Sequence, residues 1–174
     1  EHNILNALAA FACCHIQGVS VEDIVKTLDG YTGTQRRFDL LGETSTGIRI
    51  VDDYAHHPTE IKATLAAVRN MKHNTLWCLF QPHTYTRTKA LMDEFVDALS
   101  LADRVVLAKI YAARETDTLG VSSGDLCKKL KAKGVDAWYF STFDEIETFL
   151  LENSIDGDLL ITMGAGDVVN IGEK

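Results

Sequence analysis

Apolar residues along this chain recur every third or fourth position in some stretches and every second position, or in short unbroken runs, in others. Those spacings separate amphipathic helices from strands. Ile4, Leu5, Leu8, Ala9, Phe11, Ala12 and Ile16 make one helix face, which Gly18 ends. Ser20 is placed to cap a second helix, with Asp23 at the capping-box position and Val21, Ile24, Val25 and Leu28 as its stripe. After Asp29-Gly30-Tyr31-Thr32-Gly33 the character changes. Short strands over 38–43 and 48–51 flank a hairpin turn, Thr44-Ser45-Thr46-Gly47. There follow a helix over 58–70, a strand over 75–80, a helix over 86–100 and a strand over 103–110. A helix from Ser122 or Ser123 to Lys133, a strand over 135–140, a helix from the Thr142 cap to Glu152 and a strand over 158–163 complete the series. Strands alternating with helices predict an α/β fold, a Rossmann-like three-layer sandwich with a mostly parallel sheet, preceded by a short helical remnant.

With 174 residues, 46% hydrophobic and 24% charged, the chain is long enough to bury one core. The formal net charge of -8 argues against a broad nucleic-acid surface, which needs clustered Lys and Arg, and turns attention to small-molecule ligands. No apolar run reaches the roughly 18 residues of a membrane span, and no positive-then-apolar leader opens the chain, so a cytoplasmic location is expected. Cys13, Cys14, Cys78 and Cys127 show no CxxC spacing and read as reduced core or near-core residues. The chain opens Glu1-His2-Asn3, inside a helical pattern and without methionine, as a piece of something longer would. The first 35 or so residues cannot bury both of their stripes alone. Ile4, Leu5, Leu8 and Phe11 are therefore expected to fold onto the rest of the chain, to meet a further domain, or to self-associate with another copy.

The candidate chemistry lies just beyond the strands. After Ile50 and Val51 come Asp52, Asp53, Tyr54, His56 and His57, then Pro58 at a helix start; after Phe80 come Gln81, His83, Tyr85 and Arg87. Tyr111, Arg114 and Glu115 follow Ile110, and Gly164-Ala165-Gly166-Asp167 follows Met163. Ligands of open parallel sheets bind outside the carboxyl ends of the strands, where helix N–H groups favour anions. An aspartate there suits ribose hydroxyls, an arginine suits a carboxylate or phosphate, and a glycine pair admits close approach of a ligand. Each cluster also has a plainer reading. His56-His57 equally reads as a solvated pair, 81–87 as a turn with Arg87 in solvent, and 164–166 as a tight strand-to-helix turn, since Val169 stands where a third dinucleotide glycine belongs. No metal site is expected, because no spaced ligand set accompanies the histidines. Gly42 and Gly47 have P-loop spacing, but Ile48-Arg49 follows in place of Lys-Ser or Lys-Thr, so there is no P-loop.

Asp53-Tyr54-Ala55-His56-His57-Pro58-Thr59-Glu60, Phe80-Gln81-Pro82-His83-Thr84-Tyr85-Thr86-Arg87-Thr88, Met163-Gly164-Ala165-Gly166-Asp167 and the opening His2-Asn3-Ile4-Leu5-Asn6-Ala7-Leu8-Ala9-Ala10 together resemble the Mur ligase family. The resemblance runs through essentially the whole chain in order. It implies that 1–35 are the helical end of a central ATP-binding domain and 36–174 a C-terminal amino-acid-binding ligase domain. It further implies an ATP-dependent reaction of peptidoglycan precursor synthesis. The carboxylate of UDP-N-acetylmuramate takes the γ-phosphoryl group of ATP as an acyl phosphate, and the amine of L-alanine displaces phosphate.

By motif position, His2 and Asn6 resemble adenine contacts, Arg37 the arginine that reaches the terminal phosphate, and Asp53 the ribose-binding aspartate. Tyr54, His56, His83 and Arg87 resemble the groups around the amino acid, with His56, His83 and Arg87 at the reacting centre and Arg87 as carboxylate partner. Thr84 stands where some relatives place a further arginine. ATP and Mg2+ would be held mainly by a central domain outside this sequence, so the chain alone is expected to be inactive. Two alternatives remain at this point: a related ligase attaching a recycled peptide to the same sugar, and a stand-alone nucleotide-binding module.

Overall fold

The computed structural model describes residues 2–31 and 33–174, with the side chains of residues 2 and 3 outside the description. The chain divides into two units, 1–34 and 35–174. The first is a helical pair, α1 (His2–Ile16) and α2 (Val21–Asp29). Ser20 starts α2 as its spacing predicts: its hydroxyl accepts from Asp23 N (3.1 Å) and donates to the Asp23 carboxylate (2.6 Å). Ile24 is buried, whereas Ile4, Leu5, Leu8 and Ile16 are exposed and Phe11 is half-buried. Cys13 and Cys14 are exposed too, which corrects their expected place in a core; Cys78 and Cys127 are buried.

The second unit is built on a six-stranded sheet in the order β1-β2-β6-β3-β4-β5. A hairpin supplies its antiparallel edge, β1 (Asp39–Glu43) against β2 (Arg49–Asp53), and every other pairing is parallel. The remaining strands are β3 (Leu76–Phe80), β4 (Arg104–Leu107), β5 (Asp136–Tyr139) and β6 (Leu159–Met163). β3 and β6 are buried throughout, as central parallel strands covered on both faces must be.

Alternation along β3 sends Leu76, Cys78 and Phe80 to one face and Trp77 and Leu79 to the other. The first face packs against α3 (Pro58–Val68), α5 (Met92–Leu99) and α6 (Ser123–Ala132) through Ile61, Leu65, Phe95, Leu99, Leu126 and Leu130. The second packs against α7 (Phe143–Asn153) and α8 (Val169–Gly172) through Ile146, Leu150 and Ile171. This is the expected three-layer α/β sandwich. Within it burial pushes the Cys78 thiol up to about 12, which leaves it unreactive.

The strand expected over 103–110 is only Arg104–Leu107, and two helical elements also differ from the sequence pattern. The single helix expected over 86–100 is α4 (Tyr85–Ala90) and α5, broken at Leu91 (φ -113, ψ 22). The apolar spacing passes through the break because Leu91 N and Phe95 N keep their bonds four residues back. Helix α8 was not anticipated; at four residues it is too short to show a period. Among the described residues no helix is long and apolar enough to cross a membrane.

Candidate functional site

The four polar turns lie beyond β2, β6, β3 and β4, and these strands are consecutive neighbours in the sheet. One continuous edge therefore carries them all, as the strand-end reading requires. Its first fixture is one that sequence reasoning missed. Arg36 donates through Nε to Asp52 Oδ2 (2.9 Å), and its two terminal nitrogens donate to the carbonyls of Gly166 (3.2 Å) and Gly164 (2.8 Å). Asp52 is wholly buried, and its other oxygen accepts from Thr162 Oγ1 on β6 (2.6 Å). The guanidinium fork thus ties the segment before β1 to the ends of β2 and β6. Arg36 and Phe38 both have positive φ (59° and 56°), a strained conformation for non-glycine residues, so Arg37 is presented from a bent and anchored segment.

Strand alternation turns Asp53 away from Asp52. Its Oδ1 accepts from Ala55 N (2.8 Å), and its Oδ2 from Phe38 N (3.1 Å) and Thr64 Oγ1 (3.2 Å). Burial nonetheless prevails and holds its pKa above the usual 3.8, against those three bonds and the charge of Arg37. Two guanidiniums lie over the Tyr54 ring, Arg36 at 5.0 Å and Arg37 at 5.7 Å from its centroid, and the ring meets His56 edge-on at 5.4 Å.

The adjacent histidines do different work. His57 caps α3, its Nδ1 accepting from Thr59 N (3.3 Å). His56 turns back instead, with Nδ1 3.0 Å from the Tyr54 carbonyl. Glu60 accepts from both backbone amides, His56 N (3.2 Å) and His57 N (3.3 Å), and lies 4.0 Å from Arg37. Burial raises the pKa of Glu60, but the His56 amide and ring, the His57 amide and Arg37 together bring it below 4.5.

Across the edge, Gln81-Pro82-His83-Thr84 is zipped to the turn after β4. His83 pairs with Tyr111 as an isolated parallel bridge, and their rings stack at 5.6 Å and 18°. Thr84 N donates to Tyr111 O (2.9 Å) and Tyr111 N to Pro82 O (2.9 Å). Glu115 accepts from Tyr85 N (2.5 Å) and Thr86 N (3.1 Å) at the start of α4. These bonds hold Thr84 at φ 66, an outlier for a β-branched residue, with its hydroxyl accepting from Arg87 N (3.4 Å). Arg87 reaches back to His83, Nη1 to Nδ1 at 3.3 Å. Burial, then the charges of Arg87 and His56, hold the His83 pKa below the usual imidazole value, while Glu115 opposes them.

The glycine turn after β6 also has an internal explanation. A Cβ on Gly164 would stand 2.7 Å from the Gln81 carbonyl, and one on Gly166 would strike the Gln81 amide and the Tyr111 ring. Gln81 clasps this turn, donating to Asp167 Oδ1 (2.8 Å) and accepting from Val168 N (3.2 Å). Close packing of turn on turn is enough to require both glycines.

The structure therefore brings Tyr54, His56, His83, Arg87, Asp53 and Arg37 to one edge, with the His56 and His83 rings 6.0 Å apart. Asn6 lies exposed on α1 in the other unit, and the side chain of His2 lies outside the described residues. Among the described residues no group of three or more His, Cys, Asp or Glu is disposed to hold a metal ion. Arg36 is the fixture missing from the sequence reading, and Gln81, named there only as one residue of its turn, proves to be the clasp of the glycine turn.

Comparison with known proteins places the chain in a family. Residues 36–166 match the family model described as Mur ligase, glutamate ligase domain. The chain is 56% identical over 172 residues to the UDP-N-acetylmuramate--L-alanine ligase of Lachnospira eligens, and 52% identical over 172 residues to that of Acetivibrio thermocellus. These alignments take in 99% of the chain but only 37% and 36% of the two relatives, so the chain spans a little over a third of their length. Among solved structures it is similar to the UDP-N-acetylmuramate-alanine ligase of Thermotoga maritima, with TM-score 0.73 and 28% identity over 98% of this chain and 36% of that one. It is equally similar to a murein peptide ligase of Psychrobacter arcticus, with TM-score 0.75 and 26% identity over 98% and 35%.

Proposed function

This chain belongs to the Mur ligase family, and from that premise we propose that it is the C-terminal portion of an ATP-dependent ligase joining L-alanine to UDP-N-acetylmuramate. The observation that carries the choice of substrate is the 56% identity, over nearly the whole chain, to relatives bearing that name. On this reading residues 36–174 are the amino-acid-binding domain and 1–35 the end of a central ATP-binding domain. A reaction that draws on ATP and a UDP-sugar belongs in the cytoplasm and in peptidoglycan precursor synthesis.

Residues of the edge take roles that suit their chemistry. Arg37, 53% exposed at its side chain and only loosely paired with Glu60, has donors to spare for the terminal phosphate of ATP. Asp53 uses three of its carboxylate's roughly four acceptor positions internally, which leaves about one for a ribose hydroxyl. Arg87 pairs with the alanine carboxylate, with Tyr54, His56 and His83 around the amine. No magnesium step is assigned to these residues, because they include no metal-ligand cluster. Their contribution is positioning and charge neutralisation, which carry most of phosphoryl transfer.

Phosphate release by the full-length ligase that carries this chain, with ATP and UDP-N-acetylmuramate present, tests the reading. L-alanine is expected to stimulate release, and the 174-residue chain alone to release none. Stimulation by a muropeptide-derived peptide in place of alanine overturns the substrate. Tight nucleotide binding by the isolated chain overturns the ligase reading in favour of a self-contained module.

A further inference from the structure

His56 and His83 face one another across the edge, and the Nδ1 of each is committed to a different kind of neighbour. His56 Nδ1 lies 3.0 Å from the Tyr54 carbonyl oxygen and 3.7 Å from Glu60 Oε2. A carbonyl and a carboxylate only accept, so this Nδ1 carries the hydrogen and Nε2 of the neutral ring holds the lone pair. His83 Nδ1 lies 3.3 Å from Arg87 Nη1. A guanidinium only donates, so here Nδ1 holds the lone pair and the neutral ring carries its hydrogen on Nε2. The two rings are opposite tautomers. Among the described residues neither Nε2 has a protein hydrogen-bond partner, and each ring is held by a tyrosine, Tyr54 edge-on to His56 and Tyr111 stacked on His83.

We propose that the two histidines divide the proton chemistry of amide formation: His56 Nε2 accepts a proton from the incoming amine, and His83 Nε2–H donates to the acyl oxygen that gains charge. The assignment rests on the ligase reading above. The alanine nitrogen enters as an ammonium and ends as an amide with one hydrogen, so two protons leave it. One passes to His56 Nε2 and on to solvent. The amine lone pair then forms the C–N bond, the acyl C–O bond breaks with its electron pair going to phosphate, and the second proton departs with it as hydrogen phosphate. During attack the acyl oxygen carries the charge, and a donor fixed in advance stabilises it. His83 suits that role because burial and the neighbouring Arg87 hold it neutral, and a neutral imidazole can act as the electrophile. His56 suits the other because the carboxylate of Glu60 stands behind its protonated form.

Two measurements test the division, one independent of activity. Nitrogen-15 shifts of the imidazoles in the 174-residue chain distinguish the tautomers; Nδ1–H at His56 and Nε2–H at His83 are expected, and either tautomer reversed overturns the proposal. The second is turnover of the full-length ligase. Glu60, Tyr54 and His83 face His56; Arg87, Glu115, Tyr111 and His56 face His83. His56→Gln, which cannot take a proton, should lower kcat by about 10²–10⁴. His83→Ala should lower kcat by about 10²–10³, and His83→Gln, which restores an N–H near the Nε2 position, should recover to within about tenfold of the unsubstituted enzyme. Equal loss in His83→Gln and His83→Ala, or a His56→Gln variant that keeps kcat within about tenfold of the unsubstituted enzyme, overturns the division of roles. If the unsubstituted ligase does not respond to L-alanine, the alanine-ligase reading on which the proposal rests has failed, whatever the tautomers.

Discussion

At the amino-terminal edge of the sheet Asp158 is buried and accepts from Thr75 N (3.1 Å), Ile155 N (3.1 Å) and the Trp77 indole (2.9 Å). At the carboxyl-terminal edge Asp52 is equally buried, but its partners are the Arg36 guanidinium and the Thr162 hydroxyl. Neutral donors satisfy the first carboxylate. Asp103 at the same edge likewise closes on Leu76 N (2.8 Å). The other edge is charged, and it holds more hydrogen-bonding capacity than its own residues use: the exposed Arg37, the Nε2 atoms of His56 and His83, and the half-buried Arg87. Self-sufficiency marks the edge that holds the sheet together, and surplus donors fixed by a rigid frame mark the edge that meets a ligand.

Breaking each carboxylate's partnership should separate the two edges, with the larger loss where the partner is a charge. Arg36→Met leaves Asp52 buried and unpaired, and a loss of about 3–5 kcal/mol is expected in urea unfolding. Adding Asp52→Asn removes the stranded charge and should return part of that loss. If the double variant is no more stable than the single, charge burial is not what Arg36 relieves. Asp158→Ala instead strands three neutral donors. Its cost is roughly 2–3 kcal/mol, below the sum of three separate penalties because water reaches the loop around Ile155. In the full-length ligase, kcat should be unchanged by Asp158→Ala at temperatures where the protein stays folded. A change in kcat there would contradict the division between the edges.

The chemistry of the carboxyl-terminal edge was legible because apolar runs stop abruptly at Asp52, Gln81 and Gly164, and a polar residue after a buried strand marks its end. The neighbourhood of those ends was not. It depends on pairings such as Asp52 with Thr162, which no local pattern encodes. Arg36 escaped for the same reason: it lies outside any periodic element, and its carbonyl partners are 128 and 130 residues away in sequence. The two adjacent histidines read as a pair, but the turn into α3 assigns one to a helix cap and the other to the edge. The break at Leu91 was hidden because hydrogen bonding, and with it the apolar period, continues through the kink.

The smallest expected effect reaches the electrostatics of the edge most directly. Asp53 and Glu60 both feel Arg37, yet they titrate on opposite sides of their usual values, Asp53 above 3.8 under burial and Glu60 below 4.5 under its amide and charge partners. Their links to stability therefore have opposite signs. The contribution of Asp53 is fully present below pH 3.8 and is lost as pH rises through its folded-state value, because the unfolded chain gives up that proton more readily. That of Glu60 is present above pH 4.5 and is lost as pH falls through its folded-state value. Arg37→Gln removes a positive charge from both, so both pKa values should rise: Asp53 moves further from 3.8, and Glu60 moves back toward 4.5. Side-chain carboxyl carbon shifts followed through an acid titration read the two groups separately. Displacement of both in the same direction is the expected result, and a shift in Asp53 alone would mean that Glu60 is governed by its amide bonds and not by the arginine across from it.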